Sequence, residues 1–242
     1  MTLYLLTFAL FAVAASAQAV SGFGFALVAI PAMTIMTNPE TALVAVGIVG
    51  LPLTAGMLAV ERTHVSWRPV WQLVIPAFVG MPVGLAVLLV TPEPVMTGVI
   101  ALIVVGCTVL VWRRWRLRGG SGRVYAAGAF SGVLSTMTGT NGPVLVAVLQ
   151  AKNLSPRTFR ASMAAIFAVN GVVTLVGFSL AGVVSVQTLL LAAVGLPAIA
   201  AGSWIGNRLF HRIDAARFRQ ILLGGLVATS VATLAHAGAG VW

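Results

Sequence analysis

The basic residues of this chain occur only in four short stretches, and long apolar runs fill the sequence between them. All 14 Lys and Arg residues lie within stretches 62–68, 113–123, 152–160 and 208–219. The intervening runs can hold helices of ~20 apolar residues, the length that crosses a bilayer. Only 7% of the residues are charged, whereas ~25% is usual in soluble domains. The pattern excludes a soluble domain and a disordered chain, and it predicts an all-α polytopic membrane protein.

The sign of the loop charge predicts how the chain is oriented in the membrane. Cytoplasmic loops are enriched in Lys and Arg, so all four basic stretches are expected on the cytoplasmic side. The net charge of +10 is therefore a topological signal, and no nucleic-acid partner is expected. We predict a multi-pass protein of the bacterial cytoplasmic (inner) membrane with both termini on the periplasmic side. Because no basic residue precedes the first apolar run, residues 3–20 are expected to belong to the mature protein.

Six segments have the length and composition of complete transmembrane spans: 42–60, 69–90, 95–112, 161–180, 187–207 and 218–236. Segment 124–151 differs, because it lies between two basic stretches and is too short for two crossings, which need ~40 residues. It is predicted to be a re-entrant hairpin of two short half-helices. Segment 3–36 is broken at 21–24 and is either a similar hairpin or two short full spans.

The two halves of the chain have the same predicted order, which is a hairpin followed by three spans. The first repeat is residues 1–112, a basic cytoplasmic linker covers 113–123, and the second repeat is 124–242. Ser21-Gly22 matches Ser131-Gly132, and the Gly80/Gly84 pair matches Gly202/Gly206. Three spans invert the second half, so the fold is predicted to be two inverted repeats. This architecture is common among secondary transporters, whose substrate sites lie at the broken helices.

The motifs in this order resemble the TauE/SafE sulfite exporter family over nearly the whole chain. The matching motifs are 21–31 (SGFGFALVAIP), 39–42 (PETA), 131–132 (SG) with 139–143 (GTNGP), 160–162 (RAS), and 202–206 (GSWIG) with 218–219 (FR). The resemblance implies transport, as export, of small sulfur-containing anions such as sulfite, thiosulfate or organosulfonates. The first hairpin departs from the family pattern at Phe23, Phe25 and Ala26, where glycines often cluster.

The implied anion site would contain no buried base, because every Lys and Arg lies outside the predicted hairpin interiors. Half-helices starting near Phe25 and Pro143 would offer free N–H groups and the positive ends of their dipoles. The candidate substrate-binding residues are Ser21, Gly22, Phe23, Gly24, Ser135, Thr136, Thr138, Gly139, Thr140, Asn141, Gly142 and Pro143. Candidate supporting or gating residues are Gln18, Phe25, Arg160 and Asn170. The alternative is that these groups only satisfy the broken backbone and that Arg160 only marks the interface.

Catalytic and metal-binding patterns do not appear in the predicted spans. No nucleophile is paired with a base there, and the single Cys107 excludes an internal disulfide. We therefore expect no enzyme activity, no cofactor and no metal. The four acidic residues lie at span ends or in loops, so transport is expected to need no buried carboxylate.

Two alternative functions remain open. One is transport of another small organic or inorganic anion of the carboxylate type, and the other is a non-transporting membrane assembly subunit. The expected partners are a small anionic substrate and the lipid bilayer, and both a monomer and a homodimer are compatible with the sequence.

Overall fold

The computed structural model describes residues 1–113, 116–117 and 120–210, and within these residues the chain forms helices and no strand. The helices are α1 (Thr2–Ser21), α2 (Phe25–Met36), α3 (Pro39–Glu61), α4 (Trp67–Val90), α5 (Glu93–Trp112), α6 (Ser121–Met137), α7 (Gly142–Gln150), α8 (Pro156–Leu180) and α9 (Val186–Phe210). Six of them, α1, α3, α4, α5, α8 and α9, are long and apolar enough to cross a membrane. The predicted all-α membrane class is confirmed, and the predicted span 218–236 lies outside the described residues.

The five long helices that match predicted spans all begin earlier than the hydropathy pattern predicts, and α3 and α8 do so by three residues or more. Helix α3 begins at Pro39 rather than at 42, because the Asn38 side chain accepts a hydrogen bond from the Thr41 N–H at 2.7 Å. Helix α8 begins at 156 rather than at 161, and the Ser155 hydroxyl accepts a bond from the Thr158 N–H at 3.2 Å. In both cases a capping side chain is followed by proline. Proline lacks an N–H group, but an N–H in the first turn would have no intrahelical acceptor anyway. Helix α6 begins at Ser121, inside the predicted 113–123 linker.

The chain is interrupted at two places where short helices follow longer ones. A break at 22–24 separates α1 from the 12-residue α2, and a break at 138–141 separates α6 from the 9-residue α7. Gly22 and Gly139 have φ values of 79° and 63° in these breaks, a conformation that glycine adopts without steric cost. Helix α2 has 12 residues, fewer than the ~20 that cross a bilayer, whereas α1 has 20.

Helices α4 and α6 pack so closely that only glycine fits between their backbones. A Cβ atom added to Gly80 would overlap the Ala129 carbonyl oxygen, and one added to Gly84 would overlap that of Val133. The residue numbers rise together on both helices, so α4 and α6 run in parallel. Close approach through small residues is how membrane helices gain contact, and this glycine pair provides it between α4 and α6.

Helices α1 and α9 repeat the same arrangement. A Cβ on Gly202 would overlap the Ala12 carbonyl oxygen, and one on Gly206 would lie 2.8 Å from that of Ser16. The Ser16 hydroxyl also donates to the Gly202 carbonyl oxygen at 2.8 Å. This pair is parallel too, so a glycine-bearing helix from each half holds the broken helix of the other half.

Helices α3 and α8 meet through a reciprocal contact. A Cβ on Gly47 would lie 3.3 Å from the Leu175 side chain, and one on Gly171 would lie 3.4 Å from the Leu51 side chain. Here the residue numbers rise on one helix while they fall on the other, so α3 and α8 are antiparallel.

The structure corrects the residue pairing between the two hairpins. The sequence match aligned Ser21-Gly22 with Ser131-Gly132, but Gly132 lies inside α6, where an added Cβ would overlap the Ala77 carbonyl oxygen of α4. Gly22 instead ends α1 with a positive φ, as Gly139 does just after α6. Gly22 and Gly132 therefore have different roles, because Gly22 allows a turn, as Gly139 does, whereas Gly132 allows close packing.

Replacing Gly132 by alanine should destabilise the protein by about 1–3 kcal/mol, because the new methyl group must displace the α4 backbone. The matched control is Gly106→Ala on α5, where an added Cβ meets nothing within 4 Å. That change should leave stability unchanged or raise it slightly, since glycine is unfavourable within helices. Thermal unfolding in detergent measures both. Equal midpoints for the two variants would contradict the close packing.

Candidate functional site

A cavity of about 110 Å³ lies where the two breaks meet, and we call it the central cavity. Gly24 and Phe25 line it from the first break and residues 139–142 from the second, with α3 and α8 forming other walls. The breaks are in contact, since a Cβ added to Gly142 would lie 3.6 Å from the Phe23 Cβ atom. One water molecule needs roughly 10–15 Å³ of such space, so a small anion with some water fits.

The structure brings nine of the sixteen candidate residues to this cavity. They come from both breaks and from the helices beside them: Gln18, Gly24, Phe25, Ser135, Gly139, Thr140, Asn141, Gly142 and Asn170. Segments more than 100 residues apart in the sequence therefore meet at one place. That these residues bind substrate stays a prediction.

Seven candidates do not line the central cavity: Ser21, Gly22, Phe23, Thr136, Thr138, Pro143 and Arg160. Several of them satisfy the backbone near the breaks, as the alternative interpretation expected. The Ser21 hydroxyl donates to the Ala17 carbonyl oxygen at 2.7 Å. The Thr136 hydroxyl donates to the Met81 carbonyl oxygen at 2.7 Å, which ties α6 to α4.

Two asparagine side chains in the central cavity have unused hydrogen-bonding capacity. Asn141 is 4% exposed and Asn170 is 1% exposed. The amide nitrogen of each, and the amide oxygen of Asn170, have no hydrogen-bond partner among the described residues. A buried polar atom left without a partner costs about 1–3 kcal/mol. These amides are therefore available to a ligand or to water in the cavity.

The first turn of α2 also faces the central cavity. The Phe25 N–H donates to the Gln18 side-chain oxygen at 3.1 Å, and Gln18 is 2% exposed. Gln18 thus caps α2 from the preceding helix. Ala26 and Leu27, which follow in the first turn of α2, line the cavity. First-turn N–H groups lack intrahelical acceptors, so the positive end of α2 points towards this space.

The sequence analysis missed the contribution of α3 and α8 to the cavity wall. Gly47, Gly50 and Thr54 of α3 line it, together with Phe167 and Thr174 of α8. The Ser135 and Thr174 hydroxyl oxygens are 3.3 Å apart. A signal was present, because residues 47, 50 and 54 are small or polar positions at helical spacing in an otherwise apolar run.

Charged side chains stay away from the central cavity. Glu40 and Glu93 lie in the first turns of α3 and α5, and Glu61 ends α3, where its carboxylate accepts a 2.7 Å bond from the Arg157 Nε–H. No described residue with a charge lines the cavity. In residues 1–113, 116–117 and 120–210, no three His, Cys, Asp or Glu side chains come together as a metal site.

Cys107 supports the second break from outside the cavity. It is a free cysteine, 4% exposed, and its sulfur lies 3.7 Å from the Thr140 carbonyl oxygen. Cys107 therefore faces the protein core rather than the lipid.

A bundle of membrane-length helices with a cavity between two broken helices is typical of membrane transporters. The family profile described as "Sulfite exporter TauE/SafE" matches residues 6–233. The chain belongs to this family of membrane transporters.

A curated relative supports the assignment to this family. The chain is 25% identical over 218 residues to the "Probable sulfite/organosulfonate exporter TauE" of Cupriavidus necator (strain H16), which covers 87% of this chain and 85% of the relative. No solved structure matches the chain.

Replacing Gln18 by methionine should destabilise the α2 start by about 1–3 kcal/mol, because the buried Phe25 N–H loses its acceptor while side-chain volume is kept. Hydrogen–deuterium exchange of the peptide that contains Phe25 should accelerate, and the thermal midpoint in detergent should fall. Gln187→Met, at an exposed position at the start of α9, is the control. If both variants exchange at the wild-type rate, Gln18 does not cap α2.

Proposed function

We propose that the chain is a secondary transporter that exports small sulfur-containing anions and binds them in the central cavity. The substrate class is sulfite, thiosulfate or organosulfonates. The observation that carries the proposal is that the buried amide nitrogens of Asn141 and Asn170 have no partner among the described residues and lie in a cavity lined by the starts of α2 and α7. The substrate class is supported by the name of the Cupriavidus necator relative, a probable sulfite/organosulfonate exporter.

Anion binding in this cavity would rest on dipoles rather than on fixed charge. Each helix start carries the equivalent of roughly half a positive charge, and both α2 and α7 begin at the cavity. The oxygens of a sulfite or sulfonate group are strong acceptors that can take bonds from N–H groups and from amide nitrogens. Pro143, in the first turn of α7, needs no acceptor and therefore competes for none of these oxygens.

We further propose that the two halves are inverted repeats related by an axis in the membrane plane. The antiparallel, reciprocal contact between α3 and α8 supports such an axis, because an axis along the membrane normal would make these helices parallel. The matching α4–α6 and α1–α9 pairs support it as well. In this arrangement α1 and α6 enter from opposite faces, the hairpins are re-entrant, and the basic stretches are cytoplasmic.

The proposed direction of transport agrees with the energetics of a negative substrate. An inside-negative membrane favours outward movement of an anion by about 2.3 kcal/mol per charge per 100 mV. Since the described lining of the central cavity contains no carboxylate, we propose that no protein proton carrier is needed. The anion gradient, the membrane potential or protonation of the substrate itself would drive export.

The test of the substrate site is Asn141→Leu in purified protein. Wild-type protein should gain thermal stability with sulfite, thiosulfate or isethionate by mass action, and proteoliposomes should show saturable counterflow of a labelled substrate. Loss of a hydrogen bond to a charged ligand costs about 1.5–3 kcal/mol, so binding by Asn141→Leu should weaken by roughly tenfold or more. Gln187→Leu is the control and should behave as wild type.

Other outcomes would favour the alternatives. A thermal response to small carboxylates alone would replace the substrate class and keep the transporter. No response to any anion, together with no counterflow, would instead favour a non-transporting assembly subunit.

Neutralising Glu61 should leave transport intact. Glu61→Gln removes an exposed ion pair with Arg157, and exposed pairs contribute only about 0–1 kcal/mol. Counterflow and proton-gradient dependence should therefore stay within about fivefold of wild type. A variant that folds normally but loses proton-coupled flux would show that a protein carboxylate is required after all.

A further inference from the structure

Carbon-rich side chains form much of the wall of the central cavity. Three phenylalanines, Phe25, Phe167 and Phe178, line it together with aliphatic side chains such as those of Ile30 and Leu43. Burial of a carbon group against such a wall is favourable, whereas a wholly polar ion such as sulfite gains nothing from it. The lining therefore bears on which anions of the proposed class bind in the cavity.

Phe167 differs from the other two phenylalanines in how much of its surface is still uncovered. Phe25 is 4% exposed and Phe178 is 1% exposed, because neighbouring protein atoms already cover both rings. Phe167 is only partly buried, and it lines the central cavity. A ligand in the cavity can therefore cover more of the Phe167 ring but hardly any more of the other two.

The Phe167 ring also lies beside the two asparagines of the proposed site. Asn170 follows Phe167 by three residues on α8, a spacing that places both side chains on the same helix face. A Cβ atom added to Gly142 would lie 3.5 Å from the Phe167 Cζ atom, and Gly142 directly follows Asn141 at the start of α7. An anion bound to the two amides would therefore have an apolar ring as its neighbour.

The described wall around this ring offers no partner for a second charge on the ligand. None of the described residues that line the central cavity is charged. A carboxylate held against the Phe167 ring would lose its hydration without gaining a counter-charge, which is costly. An uncharged carbon group in the same place would instead be stabilised.

We propose that Phe167 is a specificity-determining residue, whose ring contacts the carbon group of an organosulfonate while the sulfonate oxygens bind the amides of Asn141 and Asn170. The inference rests on the proposed function for the position of the site and for the substrate class. Within that class, the ring favours alkanesulfonates and hydroxyalkanesulfonates that carry a single negative charge. Sulfite and thiosulfate have no carbon group, and sulfonates with a second acidic group place a charge against the ring, so both bind more weakly.

The test compares related ligands of the purified full-length protein. Dissociation constants for methanesulfonate and ethanesulfonate are obtained from the dependence of the thermal midpoint on ligand concentration. Burial of one methylene group improves affinity by about fourfold, so ethanesulfonate should bind at least about threefold more tightly than methanesulfonate. Sulfoacetate, which carries a carboxylate at the end of the same carbon group, should bind about tenfold more weakly than ethanesulfonate.

Phe167→Ala should reduce the ratio of the methanesulfonate and ethanesulfonate dissociation constants to about one, because the surface that covers the added methylene group is removed. A change that only loosens the fold would weaken both ligands and leave this ratio unaltered. Phe130→Ala is the matched control, since Phe130 on α6 is 54% exposed and does not line the central cavity. It should keep the wild-type ratio.

Gly142→Ala tests the same contact while the ring stays in place, and it decides the matter if Phe167→Ala does not fold. The added methyl group would lie 3.5 Å from the Phe167 Cζ atom and 3.6 Å from the Phe23 Cβ atom, which are ordinary contact distances. Gly142 does not have a positive φ, so alanine is tolerated there. The methyl group should cover part of the ring and lower the ratio below about twofold.

The role of Phe167 and the proposed function can fail separately. A ratio near one in wild-type protein, or a wild-type ratio that survives in folded Phe167→Ala or in Gly142→Ala, would overturn the role of Phe167. Thiosulfate counterflow that depends on Asn141 would leave the proposed function standing in that case. A chain-length preference that depends on Phe167 but appears only with carboxylates, such as acetate and propionate, would overturn the proposed substrate class and support the role of the ring. A thermal midpoint that responds to none of these anions would overturn both.

Discussion

The constraint on which this structure depends is that peptide groups within hydrocarbon must find partners inside the protein. Two helix breaks inside a membrane bundle expose such groups, so each break needs its own support. Gln18 accepts the first N–H of α2, and the Thr138 hydroxyl donates to the Leu134 carbonyl oxygen at 3.2 Å. The sulfur of Cys107 approaches the Thr140 carbonyl oxygen. The central cavity exists because these local partners hold the breaks open without filling the space between them.

The glycine contacts fix where the breaks lie. Helix α4 of the first half holds α6, and α9 of the second half holds α1, so each half positions the broken helix of the other. Only glycine at positions such as 80 and 202 permits this approach. The halves are consequently interlocked, and the central cavity requires both of them. A change at a packing glycine should therefore reach the cavity without touching any residue that lines it.

Much of this could be predicted from composition and length, because bilayer thickness sets the span length and unusual polar runs reveal the breaks. Helices α2 and α7 begin at Phe25 and Gly142, the first at the predicted residue and the second one residue before Pro143. The sequence match paired Gly22 with Gly132, whose roles differ in the structure, because a serine–glycine pair looks the same whether its glycine turns the chain or admits a neighbouring backbone. Thr54 and Thr174 line the central cavity. Whether they face the cavity depends on the rotation of α3 and α8 about their axes, which the hydropathy pattern does not define.

The reciprocal contact between α3 and α8 has a mechanical consequence. Gly47 meets Leu175 as Gly171 meets Leu51, so both points of the contact place a glycine against a leucine side chain. An alanine at either position would therefore press its methyl group against a flexible leucine side chain, which can move aside, whereas an alanine at Gly80 or Gly132 would meet a backbone carbonyl oxygen.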